Sequence, residues 1–99
     1  MATAAVNIVV LAEGDNVAVA TTDIAAGDMA RSIAGVGVRA VEPVPQGHKI
    51  ALRPIGAEEI VRRFAFPIGV ATRSVAAGAH VHVHNIRSRY MTNVEDHFE

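Results

Sequence analysis

A chain of 99 residues with a net charge of −1 and no cysteine is long enough for one modest core without disulfides. Thiolate metal sites are excluded, and the interspersed charges leave no basic footprint for nucleic acid or a membrane surface. Half of the residues are hydrophobic, mostly Ala, Val and Ile with few aromatics, a composition that favours pleated strands over helices.

The chain opens on the apolar run Ala4-Ala5-Val6-Asn7-Ile8-Val9-Val10-Leu11-Ala12, read as a first strand. It lacks a basic leader, is broken by Asn7 and is too short to span a bilayer, which points to a cytoplasmic protein. Further β-like runs follow at 16–21, 36–41, 48–52, 60–64, 68–72 and 79–86. Pro43, Pro45, Pro54 and Pro67 fall at or beside junctions, where a missing N–H does least damage. No stretch carries a helical stripe; only 28–33 and 57–63 leave room for a turn or two. The expectation is one all-β domain over 1–86, with many tight bends. Residues 87–99 form a C-terminal tail of different character. Arg87, Arg89, Tyr90 and Met91 give way to Glu95, Asp96, His97 and Phe98, an end that either frays or docks on something else.

One short pattern recurs four times, at 24–30, 44–50, 55–61 and 75–81: an aliphatic residue, two spacers, usually glycine, two spacers, then an apolar residue. The fourth position is Gly27, Gly47, Glu58 and Gly78 in turn. Glycine takes a positive φ at low steric cost, so each unit predicts a tight bend that delivers the chain into a strand.

The segment Gly78-Ala79-His80-Val81-His82-Val83-His84-Asn85 concentrates three of the five histidines. On a strand, His80, His82 and His84 share one face while Val81 and Val83 take the other. Imidazole ligates metals and shuttles protons near neutral pH, so such a row suggests chemistry. Same-face neighbours start ~6.6 Å apart, and His80 and His84 ~13 Å apart. Two of the three can therefore share one ion at a bond length of ~2.1 Å, whereas all three need a sharp bend. His82 and His84, nearest Asn85, are the preferred catalytic and metal-ligating pair, with His80 in support. In Gly47-His48-Lys49, His48 is a candidate acid/base and Lys49 a compact charge for a substrate carboxylate; a surface role for both stays open. Asn85 either binds a substrate hydroxyl or caps the strand end. Asp15 and Asp23 read as turn residues, Arg31, Arg39, Arg53 and Arg73 as surface, and His97 as solvated.

Three motifs together resemble the small SAF-type domain of the altronate/galactarate dehydratase family. They are Asp15-Asn16-Val17-Ala18-Val19-Ala20 with Asp23-Ile24-Ala25-Ala26-Gly27; Pro45-Gln46-Gly47-His48-Lys49-Ile50-Ala51-Leu52; and Ile68-Gly69-Val70-Ala71-Thr72 running into the histidine segment. The resemblance implies a β-clip fold and dehydration of a sugar acid to a 2-keto-3-deoxy acid with a divalent metal, Fe²⁺ or Mn²⁺. In that family the domain is either part of a longer enzyme or a separate small subunit. For this chain it implies a cytoplasmic hydro-lyase small subunit, inactive alone and completed by a large dehydratase subunit, with a small hydroxy acid as substrate and the ion held by either chain. A sulfolactate sulfo-lyase small subunit and a non-catalytic sugar-acid or partner-binding module stay open, as does self-association. Where the family usually has Lys-Tyr-Gly this chain has Arg63-Phe64-Ala65, and Glu58 replaces a glycine.

Overall fold

Each of the four repeated units turns on a residue with positive φ: Gly27 at 92°, Gly47 at 84°, Glu58 at 70° and Gly78 at 84°. In the computed structural model, which describes residues 6–63, 66–82 and 85–87, the chain between bends forms short strands. These are β1 (Ile8–Val9), β2 (Val17–Ala20), β3 (Met29–Arg31), β4 (Gly37–Arg39) and β5 (Lys49–Ala51), followed by β6 (Ile60–Arg63), β7 (Phe66–Ala71), β8 (His80–Val81) and β9 (Ile86–Arg87). The domain is all-β, with no helix among the described residues. Three expectations are corrected. Residues 57–63, open to a helical turn, instead run from the Glu58 bend into strand β6. Residues 28–33, open to a helical turn, contain strand β3, because the Gly27 bend folds the chain back on β4 with Ala30 fully buried between half-buried Met29 and Arg31. The run at 79–86 is not one strand: the chain leaves the sheet after Val81, and the amides of Asn85 and Ile86 both bond the His82 carbonyl. The tail beyond Arg87 lies outside the described residues.

The bends belong to a structural repeat of 31 residues. Ile24 and Val44 exchange backbone hydrogen bonds, as do Ile55 and Val75. Gly27 donates to the Ala40 carbonyl and Glu58 to that of Ala71; Gly47 donates to Ala20 and Gly78 to Ala51; Ala20 donates to His48 and Ala51 to Ala79. The hairpin of β3 with β4 recurs as β6 with β7, until a register shift between Val61 and Arg62 makes the second copy diverge.

Packing follows the same period. One core comprises Ala20, Ile24, Ala30, Ala40, Val44 and Ile50 with Ile8 and Ala18; the other comprises Ala51, Ile55, Val61, Ala71, Val75 and Val81 with Val17 and Ala79. The four-stranded antiparallel sheet, in the order β1-β2-β5-β8, lies between them. Ala18, Ala20 and Ile50 point into one core and Val17, Ala51 and Val81 into the other, so both central strands bury apolar residues on both faces, β2 as a Val-Ala-Val-Ala run and β5 through Ile50 and Ala51. Advancing a residue by one repeat moves it one strand along the sheet and onto the opposite face.

Candidate functional site

Strand β5 pairs with β8 in a register of Lys49 with Val81 and Ile50 with His80. One further step sets His48 opposite His82. Both the 50/80 and 48/82 positions fall between the backbone bonds of the ladder: the His48 carbonyl accepts from Ala20, and the His82 amide, just past β8, donates to Asn85 Oδ1. Such non-hydrogen-bonded pairs bring side chains closest, so three imidazoles converge on one face. His48 Nδ1 lies 2.7 Å from His80 Nε2. The His48 and His82 rings stack at 4.0 Å between centroids with 15° between planes, and His80 stacks at 4.9 Å from His48 and 5.6 Å from His82. One nitrogen from each ring lies within 4.8 Å of the others, and all three residues are half-buried.

Strand β8, which carries His80 and leads into His82, lies at the sheet edge, and side chains occupy the outward backbone groups of both residues. Glu42 Oε2 accepts from the His80 amide at 2.9 Å. Asn85, 5% exposed, accepts from the His82 amide through Oδ1 at 2.9 Å and donates from Nδ2 to the His80 carbonyl at 2.8 Å. Its amide thus replaces a missing neighbour strand and holds both histidines in register. The device occurs twice more. Asn7 bonds the Met29 carbonyl and Arg31 amide, and Asn16 bonds the Ile60 carbonyl and Arg62 amide. Sequence reasoning saw Asn7 as a break in an apolar run and gave no role to Asn16.

The predicted site residues separate into three groups. His48 and His82 are brought together, joined by His80, which was expected only to support the row. His84 and Val83 lie outside the described residues. Lys49 is paired with Val81 and projects from the face of β5 opposite to His48, so it is not part of the cluster. Asp15 acts in a turn as expected, its Oδ2 accepting from the Ala12 amide, whereas Asp23 Oδ1 accepts from the amide of Gln46, 23 positions away, and so ties two bends together. Glu42 was not anticipated, since only the fold brings it to β8. Beside the cluster, Glu42, Arg73, Ser74 and Asn85 line a cleft of about 230 Å³, below the ~300–1,000 Å³ of pockets that enclose small molecules.

The altronate/galactarate dehydratase SAF domain model matches residues 6–89, most of the chain. The chain belongs to this family. It is 43% identical over 82 residues to an altronate dehydratase of Escherichia coli (strain K12) and 37% identical over 82 residues to one of Bacillus subtilis (strain 168). Each match covers 83% of this chain but only 16% of the relative, so the chain spans a small part of the dehydratases it resembles. A third relative, the (2R)-sulfolactate sulfo-lyase subunit alpha of Chromohalobacter salexigens, is 38% identical over 48 residues, which are 48% of this chain and 51% of that subunit. The SAF resemblance drawn from the three motifs is thereby shown, and the relatives are lyases by name. Among the described residues no helix is long and apolar enough to cross a membrane.

Proposed function

We propose that this chain is the SAF component of a sugar-acid dehydratase of the altronate/galactarate type, acting with a separate large subunit to eliminate water and yield a 2-keto-3-deoxy acid. The observation that carries the reading is the convergence of His48, His80 and His82 on one face of a family-matched domain. Two further facts support it. The cleft that Glu42 and Asn85 line lies below the ~300–1,000 Å³ typical of enclosing ligand pockets, and the matched domain is only 16% of each altronate dehydratase relative. The sulfo-lyase relative is itself named a subunit, and its 48 matched residues are half of it, so it is a chain of comparable length.

Elimination requires removal of a proton α to a carboxylate and protonation of a departing β-hydroxyl. The His48–His80 contact is suited to the proton work. The facing nitrogens lie within hydrogen-bond distance at 2.7 Å, so in the metal-free site one ring can donate while the other accepts, and an ion held on these nitrogens would displace that proton. His82 packs against His48 and fixes its plane, while Asn85 and Glu42 hold the backbone beneath His80 and His82. The three imidazoles fit a divalent ion such as Fe²⁺ or Mn²⁺, which would supply charge stabilisation for the carboxylate and neighbouring hydroxyl. His84 and Lys49 stay candidates for contacts to substrate once the partner is in place.

Co-expression with a dehydratase-like large chain and assay against altronate, galactarate and related acids tests the reading. Keto-acid formation by the pair, with none by this chain alone, is the expected result. Turnover without a partner overturns the two-component scheme. Release of sulfite from sulfolactate in place of dehydration assigns the chain to the sulfo-lyase branch, and binding without turnover makes it a recognition module.

A further inference from the structure

The cleft along the outer edge of β8 is polar where the fold does not require it to be. Its floor is the buried Val75, Ala79 and Asn85, its wall the half-buried Glu42, and its exposed rim Arg73 and Ser74. Moved back by one repeat, Arg73 and Ser74 become Glu42 and Pro43, just before the matching bridge residues Val75 and Val44. The same frame thus accepts an acid and a proline where this cleft carries a guanidinium and a hydroxyl. Glu42 and Asn85 also bond the backbone of His80 and His82, which sets the cleft directly beside the strand edge that carries the imidazoles.

We propose that this cleft is a binding subsite for the carboxylate end of a short hydroxy acid, with Arg73 as the residue that holds the carboxylate. Arginine presents five N–H donors in a planar fork that matches a carboxylate bidentately, so it can hold one and still keep another partner. The Ser74 hydroxyl and the Glu42 carboxylate supply the donor and the acceptors that a neighbouring hydroxyl needs. The charge of Glu42 also disfavours a compact multivalent anion, so the lining suits one carboxylate flanked by hydroxyls better than inorganic phosphate. At about 230 Å³ the cleft takes one end of such an acid and leaves the rest to project beyond it. Lys49, expected in this role, projects from the face of β5 opposite to His48. That the bound acid is the molecule dehydrated rests on the dehydratase reading; that the cleft binds it does not.

The test titrates the isotope-labelled full chain with galactarate and follows backbone amides by NMR, with galactitol, acetate and inorganic phosphate as controls. Saturable shifts at Arg73, Ser74 and Ala76 with galactarate, and much smaller ones with the three controls, are expected. Arg73→Gln should weaken binding ~10-fold or more, the scale of a lost hydrogen bond between charged groups. Arg73→Lys keeps the charge without the fork and should recover only part of that loss. Arg73 is exposed, so both variants should fold, which circular dichroism checks. No saturable shift at these residues, an equal response to acetate or phosphate, or undiminished binding in Arg73→Gln overturns the proposal and returns Arg73 to the solvated surface. In the reconstituted pair the same substitution should raise KM more than it lowers kcat, because the carboxylate is held alike in the ground and transition states. An unchanged KM in a pair that still dehydrates sinks the subsite and leaves the functional reading standing. Binding through Arg73 in a chain whose pair is inactive on sugar acids does the reverse.

Discussion

Two places in this molecule share one backbone frame and differ in what covers them. Val17, Lys49 and Ala51 sit on the β2–β5 pair, where Val17 and Ala51 are sealed beneath the second core. His48, His80 and His82 sit at the β5–β8 pair, one repeat later, and are half-buried, with no third repeat over them among the described residues. The backbone relations are the same, so the change in residue type tracks cover. A repeat that alternates faces buries what it encloses and leaves its last described step half-buried. Here that step carries three imidazoles on a backbone frame that its buried copy shares.

The sharpest way to break this comparison is to truncate the two copies separately. In the reconstituted pair, His48→Ala, His80→Ala or His82→Ala should lower kcat by ~10²-fold or more, the usual scale for losing an acid/base group. Their melting temperatures should barely move, because the residues are half-buried and pack mainly on one another. Val17→Ala should do the opposite, costing about 1–3 kcal/mol of stability through a cavity in a fully buried site and sparing turnover in the folded fraction. Turnover assays and denaturant melts on the same four variants decide it. If the histidine variants lose stability while the folded fraction keeps full turnover, the cluster is packing and not chemistry.

A second contrast concerns the bends. Gly47 and Gly78 are one repeat apart and both have a φ of 84°, so alanine pays the left-handed cost at each, about 1–2 kcal/mol. A Cβ at Gly47 meets nothing within 4 Å, but at Gly78 it would stand 2.0 Å from the Arg39 carbonyl oxygen. Gly78→Ala should therefore cost at least about 3 kcal/mol, roughly twice the loss for Gly47→Ala, in urea melts. The Arg39–Val41 segment that crowds Gly78 leads directly into Glu42, which holds His80. Equal losses at the two bends would mean that this segment yields freely and does not brace β8.

Much of the frame was legible because its signals are local. A glycine after two spacers specifies a bend, and alternation of Val with Ala specifies a two-faced strand, whatever the rest of the chain does. The site was legible only in part. His80, Val81 and His82 alternate as the spacing predicts, with Val81 in the core, but the strand ends there. Spacing within one segment also favoured His82 with His84. The observed partner of His82 is His48, 34 positions earlier, and only the pairing of β5 with β8 reveals it. A signal existed: the recurrence at 24 and 55, and at 44 and 75, already contains the 31-residue period that aligns His48, His80 and His82 with Val17, Lys49 and Ala51. The asparagine stitches had no such signal, since an Asn beside a strand looks the same whether it bonds its own turn or a distant edge.

The smallest expected effect tests the repeat at its weakest match. Glu58 occupies the bend position that glycine fills in the other three copies, and it does so at a φ of 70°. A side chain there costs about 1–2 kcal/mol relative to an unstrained residue, partly offset because glycine loses about 0.5–1 kcal/mol more entropy on folding. Glu58→Gly should therefore stabilise the domain by about 0.5–1 kcal/mol, a rise of roughly 2–8 °C in Tm for a domain of this size. Gly27→Glu, the same exchange made one repeat earlier, should lower stability by a similar amount, since a Cβ at Gly27 meets nothing within 4 Å and only the backbone term changes. Opposite and comparable shifts in paired thermal melts would show that the two bends are energetically as well as geometrically equivalent. A loss of stability in Glu58→Gly would mean that the contacts of the Glu58 side chain outweigh the strain of its backbone, and that the third bend has acquired a role its counterpart lacks.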